Sequence, residues 1–138
     1  MLKRTRAAKA FIVKEDAEDK LILIIKRRMD DVQRPGIWEV PGGRIADDED
    51  LIAGLKRETK EETNLDIEII KPINLRNFTR ADGQKIAMTL FLCKSLNDNV
   101  QLSKEHTDFE WTPIEKCKEK LDEFFHAEVD LLIALLKM

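Results

Sequence analysis

Glu58, Glu61 and Glu62 stand at i, i+3 and i+4, directly after Arg57 and downstream of Gly42, Gly43 and Glu49. On a helix that spacing brings three carboxylates within a few ångströms of one another, where they repel. Partial burial would raise their pKa values unless a cation neutralises them. Hard divalent ions such as Mg²⁺ take oxygen ligands of this kind, keep several waters and bind substrate phosphates. At about 100° per residue, Leu51, Leu55, Glu58 and Glu62 share one helical face, with Ile52 and Thr59 on one flank and Glu61 on the other. Lys56 and Lys60 point to solvent. A solvated acidic helix end with lysine partners is the competing reading. The leucines on the acids' own face argue against it.

The elements that must position these acids follow from the flanking residues. Pro41, Gly42 and Gly43 let the backbone approach a ligand or an ion closely. Asp47 or Asp48 caps the helix start, and Glu49 and Asp50 add negative charge to its first turn. Asn64 ends the helix, since Asn tolerates the left-handed conformation.

Upstream, residues 5–14 read as a strand around Ala10, Phe11, Ile12 and Val13, and residues 15–19 as a charged turn. Residues 21–28 read as a central strand, nearly continuous in apolar side chains and so covered on both faces. It ends in Lys26, Arg27 and Arg28, either an exposed strand end or a phosphate contact, for which the guanidinium fork suits Arg27 and Arg28. Residues 29–36 form a loop, and residues 37–40 a short strand in which Trp38 is core. Downstream, residues 66–79 read as a long strand interrupted at Pro72. Asp82-Gly83 signals a two-residue hairpin. Residues 85–94 form a second central strand. Residues 100–109 are a polar loop carrying Glu105 and a surface His106, before a short strand over 109–112. Pro113 begins a helical turn, and residues 123–136 form an amphipathic helix with Phe124, Phe125, Val129, Leu132, Ile133 and Leu136 as its core stripe.

The spacing Gly43, five residues, Glu49, seven residues, then Arg57-Glu58-Thr59-Lys60-Glu61-Glu62-Thr63-Asn64-Leu65 resembles the box of the Nudix hydrolases. Trp38-Glu39-Val40-Pro41-Gly42-Gly43 resembles that family's lead-in. Thr59 stands where the family has an aliphatic residue and Asn64 where it has Gly, and neither change touches an acid. The element order implies an α+β fold, and the resemblance implies the family's α/β/α sandwich with a mixed sheet between helices.

The resemblance further implies a metal-dependent pyrophosphohydrolase acting on a nucleoside diphosphate derivative, with Mg²⁺, or Mn²⁺, held by Glu58, Glu61 and Glu62 and by the backbone carbonyl of Gly42 or Gly43. Arg57 would orient the carboxylates and Glu49 would pair with it or with the loop. The general base would be a box glutamate such as Glu61, or Glu105 arriving from a distant loop; an exposed loop acid is the alternative for Glu105. The expected substrate is a nucleoside triphosphate, cleaved in the manner of small MutT-like members to monophosphate and pyrophosphate. ADP-ribose or a nucleotide sugar is the alternative, as is a regulatory domain that binds nucleotide without hydrolysis. The absence of Tyr argues against dinucleoside polyphosphates.

The 138 residues suggest one domain over 1–138. The longest apolar run, residues 21–25, is far too short to span a membrane. The basic start at Lys3, Arg4 and Arg6 leads into no signal core. Two cysteines make neither a disulfide framework nor a zinc site, so the cytoplasm is the expected compartment. A net charge of −3 argues against broad affinity for nucleic-acid duplexes. A monomer or homodimer is expected.

Overall fold

The structure, a computed structural model, describes residues 4–16 and 18–137; Met1, Leu2 and Lys3 of the basic start, Ala17 of the charged turn, and Met138 lie outside the described residues. Among the described residues, seven strands form one mixed sheet: β1 (Thr5–Asp16), β2 (Asp19–Arg27), β3 (Trp38–Glu39), β4 (Gly42–Arg44), β5 (Ile67–Thr79), β6 (Lys85–Ser95) and β7 (His106–Pro113). Helix α1 is Leu51–Thr63 and α2 is His126–Leu136. The main path runs β3-β2-β1-β6-β5, and β7 lies against β2. β1 and β6 are parallel; β1 pairs antiparallel with β2 and with β4, and β5 antiparallel with β6.

Alternation along the central strands explains their long apolar runs. Ala8, Ala10 and Ile12 of β1 face a core with Leu23, Ile25, Phe91, Cys93 and Leu55 of α1. Ala7 and Phe11 face a second core with Ile22, Ile24, Leu90, Leu92 and Val129 and Leu132 of α2. These apolar strand residues therefore bury their side chains against one helix or the other. This is the expected α+β sandwich. The expected α2 stripe is seen: Phe125, Val129 and Leu132 are buried, and Phe124, Ile133 and Leu136 pack against the same core. Among the described residues no helix is long and apolar enough to cross a membrane.

One topological feature positions the glycine loop. β1 pairs with β2 over residues 13–16 only. Beyond that the two strands part: β4 pairs with β1 at Ala7, Ala8 and Lys9, while β3 pairs with β2 at Ile25 and Lys26. Residues 38–44 thus fill a fork between the two strands, and the glycine pair is pinned inside the sheet.

Several boundaries differ from the sequence reading. The N-cap of α1 is Asp50, whose carboxylate accepts from the Ala53 N–H, not Asp47 or Asp48, and no acid stands in the first turn. The Glu49 N–H donates to the Ala46 carbonyl at 3.0 Å, which closes a turn over 46–49 and delays helical geometry until Asp50. Asn64 ends the helix at φ 68°, as expected. The β5–β6 connection runs over residues 80–84 and is longer than a two-residue turn: Arg80 N–H donates to the Gln84 carbonyl, Gly83 N–H returns to the Arg80 carbonyl, and Gly83 takes φ 88°. β7 starts three residues earlier than expected, at His106, because residues 106–110 continue the ladder on β2. Pro113 ends that strand, pairing with Leu21, and its carbonyl accepts from the Lys116 N–H at 2.9 Å, which closes the expected turn over 113–116. Register shifts in β5 fall on both sides of Pro72, which donates no ladder hydrogen bond.

Candidate active site

The box is held by one arginine. Arg57 clamps Glu49 through Nε (2.7 Å) and Nη2 (3.0 Å). Its Nη1 reaches Glu58 at 3.2 Å and Glu61 at 3.3 Å. The second oxygen role of Glu49 is local, since its Oε1 accepts from the Ala46 N–H. The Arg57 guanidinium holds the Glu49 carboxyl down at about 2. Glu49 and Arg57 are therefore a brace between the loop and the helix, and Arg57 reaches two carboxylates from the flank.

Glu62 is the most enclosed acid of the box, 5% exposed. Its Oε1 accepts from the Gly42 N–H at 2.7 Å. Burial pushes its pKa up to about 8, with Glu39 and Glu58 adding to the rise and Lys9 and the Gly42 N–H opposing it. Glu58 is also raised, first by burial, with Glu61 and Glu105 contributing and Arg57 opposing. Glu61 is the outermost of the three, its side chain 59% exposed.

Both glycines are needed for close approach. At Gly42 (φ 128°) an added Cβ would lie 2.2 Å from the Ala8 carbonyl oxygen and 2.7 Å from Lys9 Cα. At Gly43 it would lie 3.0 Å from Glu58 Oε2, so the absent side chain is the space the Glu58 carboxylate uses.

A cavity of about 740 Å³ opens over this surface. Glu58, Glu62, Glu105, Gly42 and Gly43 line it, as do the cations Lys9, Arg27, Arg34, Arg44 and Arg80. Its apolar lining comes from Phe78, Ile86, Met88 and Phe124. Phe78 and Phe124 meet edge to face at 5.2 Å between centroids, and the Arg76 guanidinium lies over Phe124 at 4.1 Å.

The structure thus brings Glu58, Glu62, Gly42, Gly43, Glu105 and Arg27 to one cavity. Glu49, Arg57 and Glu61 brace it from outside the lining. Arg28 lies away from it, exposed and paired to Asp30 at 2.8 Å. Arg27 donates to Glu39 at 2.7 Å and to Asp31 at 3.1 Å.

Three groups beneath the site lie outside the box: Glu39, His106 and Lys9. Glu39, fully buried, binds Lys9 (3.2 Å), Arg27 (2.7 Å) and His106 (2.8 Å). Burial alone would raise its pKa, but Lys9, His106, Arg27 and Arg34 together pull it well below the usual carboxylate range. His106 is buried, not at the surface as expected, because the early start of β7 turns its Nε2 onto Glu39. Lys9 was legible as a lone charge in the apolar run of β1; nothing in the sequence named its partners.

The residues fit a hard divalent cation. Glu58 and Glu62 offer oxygen donors to an open cavity, Glu61 lies beside them, and Gly43 leaves room for the carboxylate. A deeper trio, Glu39, Glu62 and His106, offers atoms within 4.8 Å of one another. In that trio Glu39 is already balanced by Lys9 and Arg27.

The chain is similar to known proteins in sequence and in fold. The NUDIX domain family matches over residues 3–132. The nucleoside triphosphatase NudI of Escherichia coli is 30% identical over 103 residues, 67% of this chain and 73% of that protein. Nudix hydrolase 5 of Arabidopsis thaliana is 26% identical over 110 residues; the match takes in 78% of this chain but only 35% of that longer protein. The solved structure of a Caenorhabditis elegans Ap4A hydrolase binary complex superposes with a TM-score of 0.82 at 25% identity, covering 96% of this chain and 98% of that one.

Proposed function

The chain belongs to the Nudix family, and from that premise we propose that it hydrolyses a pyrophosphate bond in a nucleoside triphosphate, giving the monophosphate and pyrophosphate. The observation that carries this reading is the shared cavity: acids, arginines and an aromatic pair line one space of nucleotide size. Mg²⁺ or Mn²⁺, held by Glu58, Glu61 and Glu62, supplies charge neutralisation at the phosphates and lowers the pKa of a bound water. Arg27, Arg34, Arg44 and Arg80 receive phosphate oxygens, for which the planar guanidinium is suited. Phe78 and Phe124 offer apolar surface to a base. Arg57, held by Glu49, fixes the direction of Glu58 and Glu61.

Glu105 serves as the base for the attacking water in this proposal. It lines the cavity from the loop before β7, a different element from the helix that carries Glu58 and Glu62. Glu105→Gln is expected to lower kcat roughly 10²-fold or more, with little change in KM and loss of the acidic limb of the pH–rate profile. Intact kcat and pH dependence in that variant would move the base to Glu58 or Glu61.

A second reading rests on the Ap4A hydrolase likeness. The lack of tyrosine does not by itself separate this chain from a dinucleoside polyphosphate substrate, because Phe78 and Phe124 could supply the stacking surface. A panel of dNTPs, oxidised dNTPs, Ap4A, ADP-ribose and nucleotide sugars, ranked by kcat/KM with Mg²⁺, tests both. The proposal expects a triphosphate to lead the panel. Ap4A in first place would favour the second reading, and no turnover anywhere would favour a nucleotide-binding regulator.

A further inference from the structure

The strongest unexplained group is Lys9. It lies on β1 between Ala8 and Ala10 and is 4% exposed. A buried ammonium has three hydrogens to place. Lys9 places them on Glu39 Oε1 (3.2 Å), the Val40 carbonyl (3.1 Å) and the Gly42 carbonyl (3.2 Å). Two of these partners matter to the acid box. Gly42 carries Glu62 on its N–H. Glu39 is the second carboxylate of the deeper trio with Glu62. The Lys9 charge also acts directly on Glu62.

Structural need alone does not require this arrangement. An apolar residue on β1 with no carboxylate at position 39 would fill the same volume, and a buried ion pair is often no better for stability than packed apolar groups. What the lysine adds is a fixed positive charge beside the box, seated on the carbonyl of the same glycine whose N–H holds Glu62.

We propose that the Lys9 ammonium is a resident cation of the acid site, which competes with divalent metal for the Gly42 carbonyl and confines that metal to the cavity side at Glu58, Glu61 and Glu62. This rests on the metal reading given above. Lys9 would be a positioning residue, touching neither substrate nor reacting atoms. Its effect would be to weaken resting metal affinity, so that the divalent ion arrives with the nucleotide phosphates.

The sign of the effect separates this role from a structural one. Lys9→Met removes the competing charge and frees the Gly42 carbonyl, so Mn²⁺ should bind the nucleotide-free protein at least about tenfold more tightly. Glu39→Gln removes the carboxylate that balances Lys9 and Arg27, so more positive charge acts on Glu62 and Mn²⁺ should bind more weakly by a similar factor. Calorimetry or the EPR signal of free Mn²⁺ reads both constants without any substrate. Mn²⁺ should also raise the melting temperature of Lys9→Met more than that of the wild type.

Shifts in opposite directions support the proposal. Affinities that are unchanged, or that fall in both variants, overturn it, because general loosening of the site moves both the same way. Should Lys9→Met fail to fold, Glu39→Gln decides: unchanged or tighter Mn²⁺ binding overturns the proposal. If the wild-type protein binds no Mn²⁺ even with nucleotide present, the metal reading itself fails and this inference falls with it.

Discussion

Glu62→Gln is expected to lower turnover by at least about a hundredfold while leaving the fold intact. Supporting partners of metal ligands already contribute roughly 10–100-fold, and Glu62 is proposed as a ligand itself. The substitution keeps the side chain's size and leaves an amide oxygen to accept the Gly42 N–H, so packing in this 5%-exposed position survives. The stability of the metal-free protein gives an independent signature. The folded-state pKa of Glu62 is raised to about 8 from 4.5. Between those values the folded state binds more protons than the unfolded chain, so this group makes stability fall as pH rises from about 4.5 to 8. Glu62→Gln should remove that part of the slope. In chelator, the variant should melt at or above the wild type at pH 8.5, and the difference should shrink toward pH 5. Unchanged turnover, or a melting temperature well below wild type at pH 8.5, would contradict the assigned role.

Gly42→Ala is the substitution expected to cost most in stability, about 3 to 5 kcal/mol. A φ of 128° is accessible to glycine and strained for any residue with a Cβ. The new methyl would also meet backbone atoms of β1, not a side chain that could swing away. β4 would have to leave β1, and the Gly42 N–H would leave Glu62 with it. Gly83→Ala is the control. Gly83 also has positive φ, 88°, but nothing lies within 4 Å of the added carbon, so only backbone strain of about 1 kcal/mol is expected. Urea titration of both variants checks the pair. A Gly42→Ala loss no greater than that of Gly83→Ala would show that the fork in the sheet is slack.

How much of this was legible depended on the range of the interaction. The inward turn of Glu58 and Glu62 followed from helical periodicity with Leu51 and Leu55, a local property. The helix stop at Asn64 was local too. The start was ambiguous because Asp47, Asp48 and Asp50 are all good caps, and only the 46–49 turn selects Asp50. Continuous apolar runs gave the central strands β2 and β6, since both their faces are covered. His106 was read as a surface loop residue because its burial depends on Glu39, 67 positions away and on another strand. Lys9 is similar: a lone charge in a strand is visible, but the carbonyls of Val40 and Gly42 that receive it come together only when residues 38–44 enter the fork between β1 and β2. The chemistry of the box was therefore readable, and the buried ion network beneath it was not.

The central claim is metal-dependent cleavage of a pyrophosphate bond, and the products test it most directly. A nucleoside triphosphate incubated with the protein and Mg²⁺ should give, by ³¹P NMR, monophosphate and pyrophosphate in equal amounts, with no early diphosphate and orthophosphate. Excess chelator should stop the reaction, and returned Mg²⁺ should restore it. Diphosphate and orthophosphate as primary products, or hydrolysis undiminished by chelator, would contradict the account.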